Sequence, residues 1–209
     1  MHVVSRRIAC FCDAVFDAEV PDSADLTSEP EVEGKIETGD FMVVMCPQCG
    51  KRLTPEFPFR LTLREGRGVV LLVPEKDRNA LLRGTLEYEM GSPFRVVVGF
   101  PALAEKLRIL EAGLDDRVIE IMKYYLMTGA AQPEDEERDV TLRYKGEEDG
   151  RHVFHVLGLK DGEVGVARLG SEIYGKILAD IETRVAEDPF RDFCSPPWVS
   201  VERLAGGDV

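Results

Sequence analysis

Four of the five cysteines fall in two short pairs, Cys10-Phe11-Cys12 and Cys46-Pro47-Gln48-Cys49-Gly50. Both sulfurs of each pair can reach one ion, and four thiolates on short turns match tetrahedral Zn²⁺ with every position filled by protein. Such a closed centre is structural, because no position remains for water or substrate. The spacing therefore predicts one structural Zn²⁺ per chain, held by Cys10, Cys12, Cys46 and Cys49.

The second pair carries the stronger signal. Pro47 fixes φ in the turn, and Gly50 accepts the positive φ that bends backbone N–H groups toward sulfur. Lys51 and Arg52 follow directly, and Arg6 and Arg7 precede the first pair, so cations flank a centre that four thiolates would leave anionic. A Cys-x-x-Cys redox dithiol would need a βαβ context with a helix starting at its first cysteine, and here apparent strands surround it. An odd cysteine count and the absence of a signal peptide argue against disulfides. Cys194, in Asp192-Phe193-Cys194-Ser195, reads as a small packed hydrophobe.

The elements that must present these cysteines are strands. Arg6–Ala9 leads into the first pair and Ala14–Val20 alternates on the way out. Phe41–Met45 leads into the second. Between the pairs lie 33 acidic, turn-rich residues in which Glu29–Ile36 forms a short helix with Pro30 at its first turn. Strands follow at Phe57–Leu63, Gly68–Val73 and Phe94–Gly99, with a helix over Asp77–Glu89.

In the middle of the chain, Leu103, Leu107, Leu110 and Leu114 share one helix face, broken near Gly113. Asp115 or Asp116 caps a second helix through Val118, Ile119, Met122 and Leu126. Acidic residues 132–139, with Pro133 among them, read as a linker. Beyond it, Val140–Tyr144, Val153–Leu157 and Glu163–Ala167 are strands. Ser171 caps a helix whose face carries Ile173, Ile177, Ile181 and Val185. The expected fold is α+β: zinc-ribbon-like β hairpins, a paired-helix middle, then a β-β-β-α unit. The expected domains are 1–131 and 140–209.

Composition narrows the partners. The chain has 209 residues, 44% of them hydrophobic, enough for a sizeable core. Its 39 acidic against 26 basic residues give a net charge of −13, which repels nucleic-acid backbones. No apolar run approaches the length of a membrane span, and the start carries neither a long apolar segment nor a cleavage site, so a cytoplasmic protein is expected.

Both cysteine pairs, in Arg7-Ile8-Ala9-Cys10-Phe11-Cys12 and Met45-Cys46-Pro47-Gln48-Cys49-Gly50, resemble the CpXC domain family of bacterial and archaeal proteins. Glu29-Pro30-Glu31 in the gap, Phe57-Pro58-Phe59, and Ala112-Gly113-Leu114-Asp115-Asp116 through Glu120 extend the resemblance over about residues 5 to 127. Phe11 stands where the family has proline after the first cysteine. The resemblance implies a cysteine-paired, zinc-binding domain and no particular reaction.

Catalytic signatures are missing. The only histidines are His2, His152 and His155, and the odd spacing of the last two puts them on opposite faces of one strand. Asp115-Asp116 reads as a helix cap rather than a catalytic carboxylate pair, and Glu111 and Glu120 as exposed helix charges. No phosphate-binding glycine motif occurs. Trp198, the sole tryptophan, anchors the tail on the core. These features favour a non-catalytic, zinc-stabilised binding protein with a protein partner or self-association. The alternatives are a thiol-based redox or metal-sensing switch and an enzyme whose site no motif reveals.

Overall fold

A computed structural model describes residues 1–89, 91–130 and 140–206. The fold is mixed α+β, and the chain divides into two compact units, Met1–Ala104 and Glu105–Val209.

In the first unit, β1 (His2–Ala9) and β2 (Val15–Asp25) form an antiparallel hairpin with Ala9 opposite Val15. Helix α1 (Glu31–Thr38) follows, with Pro30 at its N-terminal cap position. It ends at Gly39, whose φ of +74° lets its N–H turn back on the Ile36 and Lys35 carbonyls. The strand expected over Phe41–Met45 shrinks to β3 (Val44–Met45), because Met42 takes a φ of +52° and turns the chain. Antiparallel to β3 lies β4 (Arg52–Leu53).

The remaining strands of this unit are β5 (Phe59–Thr62), β6 (Val69–Val73) and β7 (Arg95–Val98). They complete a five-stranded sheet in the order β1-β2-β5-β6-β7, with β2/β5 and β6/β7 parallel and β5/β6 antiparallel. Phe59, Leu61, Leu72, Val73 and Val96 are fully buried, and Phe41 meets Phe59 edge-on at 4.7 Å. The near-continuous apolar runs of β6 and β7 fit strands covered on both faces. The helix expected over Asp77–Glu89 is a 3-10 turn (Glu75–Asp77) and a short α2 (Arg78–Leu82), stopped where Gly84 adopts a φ of +66°. Helix α3 (Gly99–Glu111) runs across the division between the units.

In the second unit, α3 ends at Glu111, the chain turns at Gly113 (φ +70°), where the sequence predicts a break, and α4 (Asp116–Ala130) begins after Asp115. Strands β8 (Thr141–Glu148), β9 (Arg151–Leu157) and β10 (Gly165–Gly170) form an antiparallel sheet in the order β10-β9-β8. A register shift between Tyr144 and Gly146 bulges β8. Helix α5 (Ser171–Ala179) breaks at Asp180 into α6 (Ile181–Arg184), and α7 (Phe190–Cys194) precedes a 3-10 segment, Val201–Gly206. Ser171 does not cap α5: Gly170 holds that position, and the Ser171 hydroxyl donates to the Gly150 carbonyl at 2.8 Å.

One core joins these elements. Ile109, Val118, Ile119, Ile121 and Met122 pack with Leu142, Tyr144, Phe154, Ile177, Ile181 and Phe193. The linker expected at 132–139 lies outside the described residues. The compact units part between Ala104 and Glu105, and within the second unit α4 shares its core with the C-terminal strands and helices.

Candidate metal centre

The first cysteine pair sits in the β1–β2 turn. Cys10 N–H donates to the Ala14 carbonyl at 2.8 Å, Asp13 N–H donates back to the Cys10 carbonyl at 3.0 Å, and Asp13 takes a φ of +66°. This small hydrogen-bonded loop aims Cys10 and Cys12 to one side. The second pair sits in the β3–β4 turn, closed by Cys46 N–H to Lys51 O and Gly50 N–H to Cys46 O, each 2.9 Å. Gly50 has the expected positive φ of +70°.

The two turns bring all four sulfurs within 4.8 Å of one another. The shortest approaches run across the pairs: Cys10 Sγ to Cys49 Sγ and Cys12 Sγ to Cys46 Sγ, both 3.7 Å. Cys10 and Cys46 are buried in a small cluster with Ile8, Val20 and Leu53, whereas Cys49 is exposed. All four cysteines singled out by the sequence thus meet at one point, and four thiols so placed can hold a metal ion.

The cluster is electrostatically uneven. Backbone N–H groups of Cys49 and Gln48 stabilise the Cys46 thiolate, and its pKa drops to about 6 against the opposing effect of burial. At Cys12 a backbone contact from Ala14 favours the thiolate, but hydrogen bonds among the crowded sulfurs, Cys49 first, together with burial push the pKa up to about 12. One thiol ionises readily, and a cation is then needed to draw off the next proton.

The neighbouring cations have partners of their own. Lys51 Nζ sits 4.4 Å from the centroid of the Phe11 ring, and the Arg6 guanidinium 5.6 Å from that of Phe57. Arg52 donates to the Gly39 carbonyl and pairs with Asp40 at 2.7 Å. Phe11 is 85% exposed, with Lys51 over its ring.

The other sequence candidates have surroundings of their own. His2 pairs with Asp22 at 2.7 Å. His152 is buried beside the Tyr144 hydroxyl (3.1 Å), and burial lowers its pKa; His155 is half-buried on the same strand. Asp115 caps α4, accepting from Arg117 N–H at 2.9 Å, whereas Asp116 is buried against Lys106 at 2.7 Å. Cys194 packs in the second unit's core, where burial pushes its thiol up to about 12. Trp198 is buried, as expected of an anchor.

Glu120 is a correction. Expected on the surface, it is buried and accepts from Lys123 Nζ at 3.0 Å and from Val201 N–H at 2.8 Å. The signal was present in the sequence: Val118, Ile119, Ile121 and Met122 are apolar on several sides of α4, leaving residues 120 and 123 no solvent face.

The chain is 25% identical over 187 residues to an uncharacterized protein of Treponema pallidum (strain Nichols), covering 82% of this chain and 86% of the relative. No solved structure matches. No described helix is long and apolar enough to cross a membrane. The profile of the CpXC protein family matches residues 8–123, more than half of the chain and both cysteine pairs, and the chain belongs to that family.

Proposed function

We propose that Cys10, Cys12, Cys46 and Cys49 hold one structural Zn²⁺ and that the chain is a non-catalytic, zinc-stabilised binding protein of the cytoplasm. The spacing of the sulfurs carries this reading. A tetrahedron with Zn–S near ~2.3 Å has edges of about 3.8 Å, close to the two 3.7 Å approaches. With four thiolates bound, no coordination position is left for a substrate. Protein partners or self-association suit an acidic chain whose Arg6, Lys51 and Arg52 near the sulfurs are already engaged, and nucleic-acid binding is not expected.

Metal analysis of the purified protein, with Cys194→Ser as control, should give one zinc per chain. A folded, metal-free protein with four freely reactive thiols at these positions would sink the proposal. Affinity capture from lysate then tests the binding role, and a gel-shift titration at physiological salt tests the exclusion of nucleic acid.

A thiol switch is the second reading, favoured by the lowered pKa of Cys46. Against it, Cys46 and Cys49 lie in a strand–turn–strand, and the closest sulfurs belong to different pairs, not to the Cys-x-x-Cys itself. Mild oxidation yielding a reversible Cys46–Cys49 disulfide without loss of metal would favour the switch.

A further inference from the structure

The five-stranded sheet of the first unit has one exposed outer strand. At one end β7 is buried along its length; at the other, β1 is exposed at every residue but Val4 and Ile8. Among the described residues β2 is the only strand that pairs with β1. The hairpin shows which backbone groups face outward. The Cys10 N–H donates to the Ala14 carbonyl, and along an antiparallel pair hydrogen-bonded and non-hydrogen-bonded positions alternate. Val4, Arg6 and Ile8 therefore bond to β2, while Val3, Ser5, Arg7 and Ala9 turn their N–H and C=O groups to the outer edge. The register shift between His2 and Val3 inserts Asp22 on the β2 side, so β1 itself runs unbroken.

A long, regular edge strand is a template for a further strand. Charge selects one antiparallel register in which β1 pairs with itself. Outward residues must meet outward residues, which places the twofold axis on a residue. An axis at Arg6 or at Arg7 sets that arginine against its own copy, and like charges directly opposite are destabilising. An axis at Val4 sets Arg6 against His2 and shortens the overlap. An axis at Ser5 sets Val3 against Arg7 and Val4 against Arg6, so every arginine of the strand faces a valine. Val3, 40% exposed in the single chain, then lies along the aliphatic stem of Arg7 of the second copy.

We propose that two copies of the chain pair antiparallel through β1 about an axis at Ser5, joining their five-stranded sheets into one. The inference rests on the self-association proposed above and gives it a surface; it does not rest on the metal. Ser5 exchanges both backbone hydrogen bonds with Ser5 of the second copy, and Val3 does so with Arg7 of the second copy. Main-chain pairing supplies the affinity, as in strand addition generally, and the facing valines and arginines fix the register. Pairing uses up the exposed edge of each copy, so assembly closes at a dimer rather than running on as a filament.

Analytical ultracentrifugation of the full chain tests this. A contact of this kind is at the small, weak end of specific interfaces, so the dimer should be present at about 0.1 mM chain. Ser5→Pro removes the outward N–H, which an edge strand can lack without harm to its own sheet, and should weaken the dimer about tenfold or more. Ser5→Lys puts a cation opposite Glu19 within its own hairpin but against its own copy at the axis. It should weaken the dimer by up to about fivefold, and high salt should restore it. A foreign peptide on the same edge would show no such self-repulsion. Should one variant not fold by circular dichroism, the other decides. A monomeric wild type at this concentration, or wild-type affinity in a folded variant, overturns the pairing. Zinc content is read in parallel: a metal-free dimer sinks the metal reading alone, and a zinc-bound monomer sinks the dimer alone.

Discussion

Two regions of this chain, the surroundings of the cysteines and the second unit, reach a stable interior by different means. Around the cysteines, the buried side chains number little more than Ile8, Val20 and Leu53 plus two of the thiols themselves. The strands that carry the second pair are two residues each. So little apolar surface does not offset the entropy of ordering two turns, and in the proposed reading a metal supplies the difference. The second unit instead closes a continuous core over Phe154, Tyr144, Ile119 and Met122, large enough to enclose Lys123 with its carboxylates. Where the apolar core is small, polar atoms gather on a would-be ion; where it is large, charges are satisfied by one another.

The sharpest way to break that comparison is to remove the metal. Structural zinc contributes on the order of 10 kcal/mol to the folding of small thiolate sites. Chelation, Cys46→Ser or Cys49→Ser should therefore abolish amide-exchange protection over the β1–β4 region while β8, β9 and α4 stay protected. Equal protection across residues 8–60 with and without metal would show that the few apolar contacts suffice.

The second unit has its own weak point in Lys123. Lys123→Ala leaves Glu105 and Glu120 buried together without the cation between them, and breaking a buried pair costs roughly 3–5 kcal/mol. Denaturant unfolding should register this loss in the second unit, with the zinc content unchanged. A variant as stable as the wild type would mean that the network is solvated in solution. By the same packing argument, a fragment beginning at residue 140 is expected to be unfolded by circular dichroism, since it lacks the α4 side chains that fill its core.

Much of this was legible in the sequence because it is local. The cysteine pairs, Gly50, the hairpin around Cys10 and Cys12, the break at Gly113 and the apolar strand runs each depend on a few adjacent residues. Pairing partners are another matter: nothing local says that β2 runs parallel to β5, or that β6 runs parallel to β7. The division of the core was hidden for a related reason. An acidic run such as 132–139 suggests a linker from sequence alone, whereas the assignment of α4 depends on which apolar faces meet it. Likewise Glu120 reads as a surface charge until both sides of α4 are seen to be covered.

Acidification should separate the units at smaller cost. The Cys12 thiol, with its pKa up to about 12, is protonated at neutral pH, so a bound metal must displace that proton. This proton alone makes zinc affinity fall about tenfold, or ~1.4 kcal/mol, for each unit of pH decrease. Below about pH 6 the Cys46 thiolate also takes up a proton, and the dependence steepens. Competition with a chromogenic chelator between pH 8 and 5.5 measures the slope. A flat profile would argue that the ligands are already deprotonated without the metal.

The smallest effect concerns one backbone angle. Gly50 sits at a φ of +70°, and a Cβ placed there meets nothing within 4 Å. Gly50→Ala therefore tests the turn conformation alone, free of steric collision. A left-handed residue other than glycine costs about 1–2 kcal/mol, and in this turn the penalty falls on the Gly50 N–H to Cys46 O bond that orients the second pair. The variant should hold zinc roughly five- to thirty-fold more weakly if the whole penalty falls on the metal-bound form. Gly129→Ala offers the contrast: it lies within α4, also with nothing within 4 Å of an added Cβ, and there alanine favours the helix by up to about 1 kcal/mol. If Gly50→Ala bound zinc as tightly as the wild type, the metal rather than the glycine would be setting the turn.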